Sequence, residues 1–262
     1  MSKVSEFRTD NLVVSVYGTR EDLGCAAAED VEKQIRAIGV KQEEIRIMFA
    51  SAQSQRDLWN ELSKRREIPW NCVTAFHMDE YLGLPEDAPQ KSGHLLREEF
   101  FQGKGFRKIH YIDGSAHDER SECQRYASLL ASAPLDIVCM GIGENGHIAF
   151  NDPPVADFSD LLMMKPVTID KRSRQQQVND GAFSVIDEVP VRALTATVPQ
   201  LLAGEALFVV VPGERKAEAV WNTLFGPISL SCPASIIRTH RNAKLYLDRD
   251  SARMISRDFL SD

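Results

Sequence analysis

The stretch from Leu135 to Pro154, LDIVCMGIGENGHIAFNDPP, limits the fold more than any other part of this chain. Its apolar opening, Leu135 to Met140, is too short for a helix and contains the β-branched Ile137 and Val138, so it reads as a buried strand. Gly141, Gly143 and Gly146 follow at once, and glycine lets a backbone turn sharply and lets a ligand approach main-chain N–H groups. Next come a histidine, His147, and a carboxylate, Asp152, before Pro153 and Pro154 stop any regular element. A strand end, a glycine turn, a histidine and an acid so close together describe a site at the edge of an α/β sheet.

The glycines also spell G-x-G-x-x-G, the dinucleotide fingerprint. That fingerprint needs a helix to begin at its third glycine and face the pyrophosphate. Here HIAFNDPP follows Gly146, and its prolines leave no room for such a helix. Glu144, Asn145, Asn151 and Asp152 are costly to gather beside a buried strand unless a site uses them.

The strand and helix signals alternate along the chain. Asn11 to Tyr17 reads as a strand, with a helix from Glu21 to Ile38 that Thr19 or Asp22 caps and Gly39 ends. Ile45 to Ala50 is a second strand, followed by SAQSQ and a helix to about Arg66. Cys72 to Phe76 is a third strand and runs into HMDEYLGLPED, read as a loop over a cleft with Gly83 as its flexible point. A helix over Ser92 to Phe101 with Ser92 as cap, a strand at Ile109 to Ile112 and a helix over Asp118 to Ser132 precede the glycine turn. Beyond it, strands are expected at LLMMKPVTI, Arg192 to Val198, Leu207 to Val211 and Lys244 to Leu247. Helical segments are expected near Asp170, at Arg215 to Leu224, at Pro233 to Thr239 and after Asp248. The pattern predicts a Rossmann-like α/β fold, a mostly parallel sheet with helices on both faces, as one domain over residues 1–262.

Composition narrows the partners. With 43% hydrophobic and 26% charged residues the chain is ordinary for a globular protein. A net charge of −7, with no basic run longer than three residues, argues against nucleic acid and anionic membranes. The five cysteines, Cys25, Cys72, Cys123, Cys139 and Cys232, are scattered and show neither a disulfide framework nor a zinc cluster. MSKVSEFRTD lacks a signal-peptide apolar segment, so a cytoplasmic protein is expected.

Ligands of open α/β sheets bind beyond the carboxyl ends of strands. Four clusters fall there: Ser51 to Ser54, His77 to Tyr81, the glycine turn and Pro212 to Lys216. Asp79 or Glu80 is a candidate general base in a partly desolvated cleft. Lys216, at a predicted helix start where a positive charge opposes the local dipole, points to a bound anion, and Ser51 and Ser54 offer donors to the same kind of oxygen.

FHMDEYLGL, MGIGENGHIAFNDPP, VPGERKAEAV and SCPASIIRTH resemble the glucosamine-6-phosphate deaminase family over nearly the whole chain. The related 6-phosphogluconolactonases look similar through the glycine turn. They usually carry an arginine after the Asp-Glu pair, where this chain has Tyr81, and they lack the AFN-acid-P tail. The resemblance implies the fold of the deaminases and of ribose-5-phosphate isomerase, no metal and no organic cofactor. It implies conversion of glucosamine 6-phosphate, or a 2-amino epimer, to a ketose 6-phosphate and ammonium by ring opening and proton transfer from C2 to C1. Asp79 then matches the C2 base, His147 the ring-opening histidine, and Asp152 the carboxylate that orients it, usually a glutamate. Asn145 matches a position held by aspartate or asparagine. Lys216 matches the phosphate lysine, with Ser51, Ser54, Glu80, Gly143 and Gly146 among the substrate-contacting residues. Two departures stand out. The loop after the second strand has no glycine, and a phosphate arginine of some members aligns with Gln177, which leaves Arg172 or Arg174 to replace it. Some members are hexamers activated by N-acetylglucosamine 6-phosphate. At the positions that bind the activator this chain has Val155, Met163 and Lys165, which implies an unregulated monomer or small homo-oligomer. A lactone hydrolase and a non-catalytic sugar-phosphate sensor are the competing expectations.

Overall fold

Apolar side chains run almost unbroken along the central strands and point to both of their faces, so each strand must be covered on both. In the computed structural model, which describes residues 2–256, this produces an eight-stranded main sheet. The strands of the described residues, in this sheet and a smaller one, are β1 (Lys3–Thr9), β2 (Leu12–Tyr17), β3 (Ile45–Phe49), β4 (Val73–His77), β5 (Asp79–Tyr81), β6 (Lys108–His110), β7 (Ile137–Met140), β8 (Met164–Thr168), β9 (Arg192–Ala196), β10 (Ala206–Val211) and β11 (Ala243–Asp248). The main sheet runs β1-β2-β11-β10-β7-β3-β4-β6, and every pairing in it except β1 with β2 is parallel.

The helices divide between the two faces. Ile45, Ile47, Phe49, Ile137 and Cys139 point toward α1 (Arg20–Gly39) and α2 (Arg56–Lys64), where they pack with Leu23, Ile35, Leu58 and Trp59. α3 (Ser92–Leu96), with the wider turn Arg97–Phe101 that continues it, covers the same face through Leu96 and Phe100. The alternate residues, Met48, Val138, Met140, Val209 and Val211, meet α4 (Glu119–Ala131), α6 (Val198–Leu202) and α7 (Ala217–Phe225) through Tyr126, Leu201 and Val220. Thr19 caps α1 by accepting from the Asp22 N–H, and Asp118 and Asp170 cap α4 and α5 (Lys171–Asn179) in the same way.

The strand order places the site. From β3 the chain moves outward to β4 and β6, and from β7 it moves the opposite way to β10 and β11. The loops leaving β3 and β7 therefore part, and a crevice opens between their carboxyl ends, where open α/β sheets bind ligands.

Several elements differ from the sequence reading. Lys3–Thr9 forms a strand that the sequence did not signal, because it is largely polar and sits at the sheet edge against β2. Asp79–Tyr81 is a strand, not a loop. It pairs with β9, which also pairs with β8, in a separate three-stranded antiparallel sheet. The segments LLMMKPVTI and Arg192 to Val198 thus build this second layer and not the parallel sheet. Ser92 opens α3 as its first helical residue, and Lys91 holds the cap position without a side-chain bond. After Asp248 the described residues form turns where a helix was expected, and 257–262 lie outside the described residues.

The end of β4 is held by one phenol. Tyr126 of α4 accepts the His77 N–H at 2.9 Å, and its hydroxyl lies 2.9 Å from the His77 carbonyl and 3.2 Å from that of His110. Tyr126→Phe leaves these buried groups short of a partner and is expected to lower stability by about 1–3 kcal/mol. The check is a urea titration, in which the midpoint falls at unchanged slope.

Candidate active site

The glycine turn leaves β7 as a tight coil, as its two prolines require. Gly143 N–H donates to the His147 carbonyl at 2.9 Å, and Gly146 N–H donates to the Gly143 carbonyl at 3.0 Å. Two glycines are obligatory for different reasons. The His147 ring lies flat on Gly143, where a Cβ would fall 2.1–2.3 Å from three ring atoms. Gly146 has φ +83° and no room for a Cβ, which would meet Cys232 Sγ at 2.7 Å. Gly143 lines the cleft, whereas Gly146 turns its back on it and packs against the SCPAS segment, whose Ala234 N–H donates to the Gly146 carbonyl at 2.8 Å. Gly146 therefore shapes the turn instead of touching a ligand.

His147 is almost enclosed, and its Nδ1 lies 2.7 Å from Asn145 Oδ1 and 3.0 Å from Asp152 Oδ1. The Asn145 orientation is fixed by an unambiguous donor, since the His147 backbone N–H points at Oδ1 from 3.1 Å while Nδ2 donates to Asp152 at 2.9 Å. With two acceptors around it, Nδ1 carries a proton, so whenever the ring is neutral Nε2 is left as an acceptor. Asp152 is fully buried, and its Oδ2 accepts the Asp170 N–H at 2.9 Å. Burial alone would raise its pKa, but His147, Asn145 and this N–H outweigh burial and hold the carboxyl below its ordinary value.

On β5, side-chain alternation separates two adjacent acids. Asp79 lines the cleft with His147. Burial raises its pKa to about 6, against the opposing pull of a hydrogen bond from Ser92 Oγ at 3.1 Å and the charge of His147. Glu80 points the other way. Its oxygens accept the N–H groups of Tyr81, Ser92 and Gly93, each at 2.9 Å, and it lines a different cavity. The expected substrate contact by Glu80 is thus corrected: it is an internal clamp, because β5 is a strand and not a loop. Burial lifts its pKa to about 7, while the three N–H groups pull it down. His77 fixes the approach to β5. Its Nε2 accepts the Ile112 N–H at 2.9 Å, so its Nδ1 donates to the Asp79 carbonyl at 2.9 Å, and burial drives its pKa down to about 4.

At the far end of the cleft stand Ser51, Ser54 and Lys216. Lys216 sits in the tight turn Glu214–Lys216 just before α7 and is 4% exposed. Its ammonium has no hydrogen bond or ion pair among the described residues. Burial lowers its pKa, partly offset by the charges of Asp180 and Glu144. Ser51 Oγ is buried with no partner among the described residues, an orphan donor that a ligand oxygen would satisfy. Ser54 Oγ accepts from Gln55 at 3.3 Å. Neither arginine proposed as a replacement reaches this end. Arg172 is 67% exposed beside Glu218, and Arg174 donates to the carbonyls of Ile186 and Val189. Both are drawn away because α5 turns its Gln176 and Gln177 to the cleft instead.

The structure adds residues that sequence reasoning did not single out. Ser92, read as a cap, faces Asp79. Tyr81 and Phe150 form an aromatic wall 5.2 Å apart. Gln176 Oε1 accepts the Glu144 N–H at 2.7 Å and ties α5 to the glycine turn. Ala149 has φ 50° at the cleft, a left-handed position that no sequence pattern marked. Among the described residues no group of three or more His, Cys, Asp or Glu is placed to hold a metal ion. No helix among them is long and apolar enough to cross a membrane.

A titratable carboxylate, an imidazole anchored by a second carboxylate and a buried ammonium, all at strand ends, equip an enzyme for acid–base chemistry on an anionic small molecule. The chain belongs to the family of glucosamine-6-phosphate isomerases and 6-phosphogluconolactonases, whose model matches residues 18–247. It is 31% identical over 209 residues to the glucosamine-6-phosphate deaminase of Lactobacillus delbrueckii subsp. bulgaricus, covering 79% of this chain and 86% of that one. The corresponding enzyme of Listeria innocua is 30% identical over 230 residues, 87% of this chain and 94% of its own. A solved structure of a monomeric glucosamine-6-phosphate deaminase superposes with a TM-score of 0.84 at 29% identity, over 92% of this chain and 99% of the other. The 6-phosphogluconolactonase of Thermotoga maritima, at 17% identity and a TM-score of 0.73 over 90% and 99%, shares the fold.

Gly143→Ala is expected to push the His147 ring off its seat while the surrounding sheet stays folded. Misplacing a reacting group by about 1 Å costs roughly 10²-fold in turnover. The measurements are kcat on an amino-sugar phosphate and the thermal midpoint. A loss in kcat with a midpoint close to that of the unaltered protein is the expected result.

Proposed function

We propose that this protein is an amino-sugar-phosphate deaminase/isomerase that converts glucosamine 6-phosphate, or a 2-amino epimer, to the ketose 6-phosphate and ammonium. One observation carries the reading: Asp79 and the carboxylate-anchored His147 line one cleft whose far end holds a buried ammonium with no ion pair among the described residues. Relatives at about 30% identity that bear the deaminase name support it, whereas the lactonase likeness is one of fold.

The steps follow from the groups in place. Neutral His147 takes the proton of the C1 hydroxyl on Nε2 and returns it to the ring oxygen, so the C1–O5 bond breaks and the sugar opens. Asp152 and Asn145 keep Nδ1–H in place and stabilise the imidazolium formed midway. Asp79 then takes the proton from C2, the electrons form the C1–C2 double bond, and O1 takes a proton from the neighbouring C2 ammonium to give the neutral enolamine. Asp79 returns its proton to C1, and the resulting C2 iminium adds water and expels ammonia, which leaves as ammonium. Lys216, with Ser51 and Ser54 beside it, takes the phosphate. An anion restores the charge balance that burial denies the lysine.

Lys165 donates to the Val155 carbonyl at 2.8 Å and lies 2.8 Å from Asp160, so it is already engaged within its own chain. This supports a single-domain enzyme without effector control, acting as a monomer or small oligomer. The free thiols suit the reducing cytoplasm.

Asp79→Asn is expected to cut ammonium release by roughly 10²–10⁴-fold while sugar-phosphate binding survives, because an amide cannot accept the C2 proton. Turnover close to that of the unaltered protein would remove Asp79 from the role. Lys216→Ala should raise KM far more than it lowers kcat, since the phosphate is remote from C1 and C2. The base works ionised, so kcat/KM should fall as pH drops through about 6, the value to which burial raises Asp79. A profile flat from pH 8 to pH 5 would contradict that assignment. Ammonium release from a panel of 2-amino sugar 6-phosphates, run beside hydrolysis of a sugar-phosphate lactone, decides between the deaminase and the lactonase reading.

A further inference from the structure

Among the described residues, the Asp79 carboxylate has a single hydrogen-bond donor, and a neighbouring acid holds that donor in place. Ser92 Oγ lies 3.1 Å from Asp79 Oδ1. Glu80 Oε1 accepts the N–H of Tyr81 and of Ser92, and Oε2 accepts that of Gly93. One buried carboxylate therefore ties the β5 backbone to the first two residues of α3. Space next to it is tight, since a Cβ on Gly93 would stand 3.0 Å from the Tyr111 ring and 3.4 Å from Glu80 Oε2. Ser92 is buried at the cleft wall, and among the described residues its hydroxyl bonds to Asp79 and to no other group.

We propose that Ser92 is a positioning residue for Asp79: its hydroxyl engages Oδ1, leaves Oδ2 for the C2 proton and stabilises the ionised carboxylate, with Glu80 setting where that hydroxyl stands. The proposal rests on the reading of Asp79 as the base. A hydroxyl that donates to a carboxylate favours the charged form, so its removal makes Asp79 harder to ionise.

The other charges around Asp79 are accounted for. Across the cleft stand His147, which in its protonated form acts in the same direction as Ser92, and Lys216 at the far end. Behind the strand, His77 is neutral and holds the Asp79 carbonyl, and the Tyr126 phenol bonds only backbone groups. Thr195, the β9 partner of Asp79, carries no charge. Glu80 faces away into a separate cavity of about 250 Å³. Lys91, His94 and Arg97 line that cavity from the α3 side, and Glu86, Tyr111 and Asp113 from the loops.

The test is an NMR titration of the Asp79 carboxyl in the full-length protein and in Ser92→Ala and Ser92→Thr, beside the pH profile of ammonium release. Ser92→Ala should raise the titration point by about one unit, a tenfold change in proton affinity. The acid limb of kcat/KM should move by the same amount. Ser92→Thr keeps the hydroxyl and should return both to the starting values. A titration point that stays put in Ser92→Ala overturns the proposal. So does a Ser92→Thr variant that shifts as far as Ser92→Ala, since bulk and not the hydroxyl would then be responsible. Should Asp79→Asn keep full turnover, the base assignment falls by itself, while the Asp79 titration in Ser92→Ala still decides the Ser92 contact.

Discussion

Burying carboxylates is the constraint around which this site is built. Asp79, Glu80 and Asp152 all lie in or behind the cleft wall, and a buried carboxylate is tolerable only with donors around it. Each is handled differently. Glu80 receives three backbone N–H groups and becomes a joint between β5 and α3. Asp152 receives an imidazole, an amide and a backbone N–H, and stays ionised to hold His147. Asp79 receives one hydroxyl and the open cleft. The carboxylate with the fewest protein partners is the one left free to exchange a proton, which is the physical basis for casting it as the base.

The second sheet makes this division possible. A loop after β4 would leave Asp79 and Glu80 equally exposed to a ligand. A strand sends adjacent side chains to opposite sides, so one acid faces the cleft while the other faces the interior. β9 pairs with β5, and Thr195 on β9 also accepts the Phe150 N–H at 3.1 Å. Asn151 reaches β9 as well, donating to the Ala196 carbonyl at 2.8 Å. Asp79 and the segment carrying His147 are thus braced through one strand that touches both halves of the site.

The end of the cleft proposed to take the anion is built with little charge. Lys216 is the only lysine or arginine among the described residues lining the cleft, with Ser51, Ser54 and Gln177 as neutral neighbours. The loop after β3 has no glycine and folds into the short turn Gln53–Gln55, whose buried Gln55 side chain donates to the Val210 carbonyl at 3.0 Å. That contact ties the loop to β10, the strand that leads to Lys216. Rigid backbone placement takes over from the close main-chain approach that glycines would have allowed.

The local reading of the sequence went far because its strongest signals are local. The glycine turn between a β-branched strand and two prolines, the capping residues Thr19, Asp118 and Asp170, and the alternation of strands and helices all act over a few residues. For the same reason they were legible without the fold. The reversal of strand order between β3 and β7 follows the general rule for such sheets, so the meeting of the four loop clusters at one cleft could be expected. What the sequence could not assign depends on partners far along the chain. Asp79–Tyr81 is a strand because Ala193–Thr195 lies beside it, more than a hundred residues later. Ser92 faces Asp79 because Glu80 draws in the start of α3. Arg172 and Arg174 leave the cleft because α5 presents its glutamines there. Residue types and short spacings determined which chemical groups this protein has. Pairing between distant segments decided which of them face one another, because a side chain's direction is set by the backbone element that carries it, and that element forms only when its neighbour is in place.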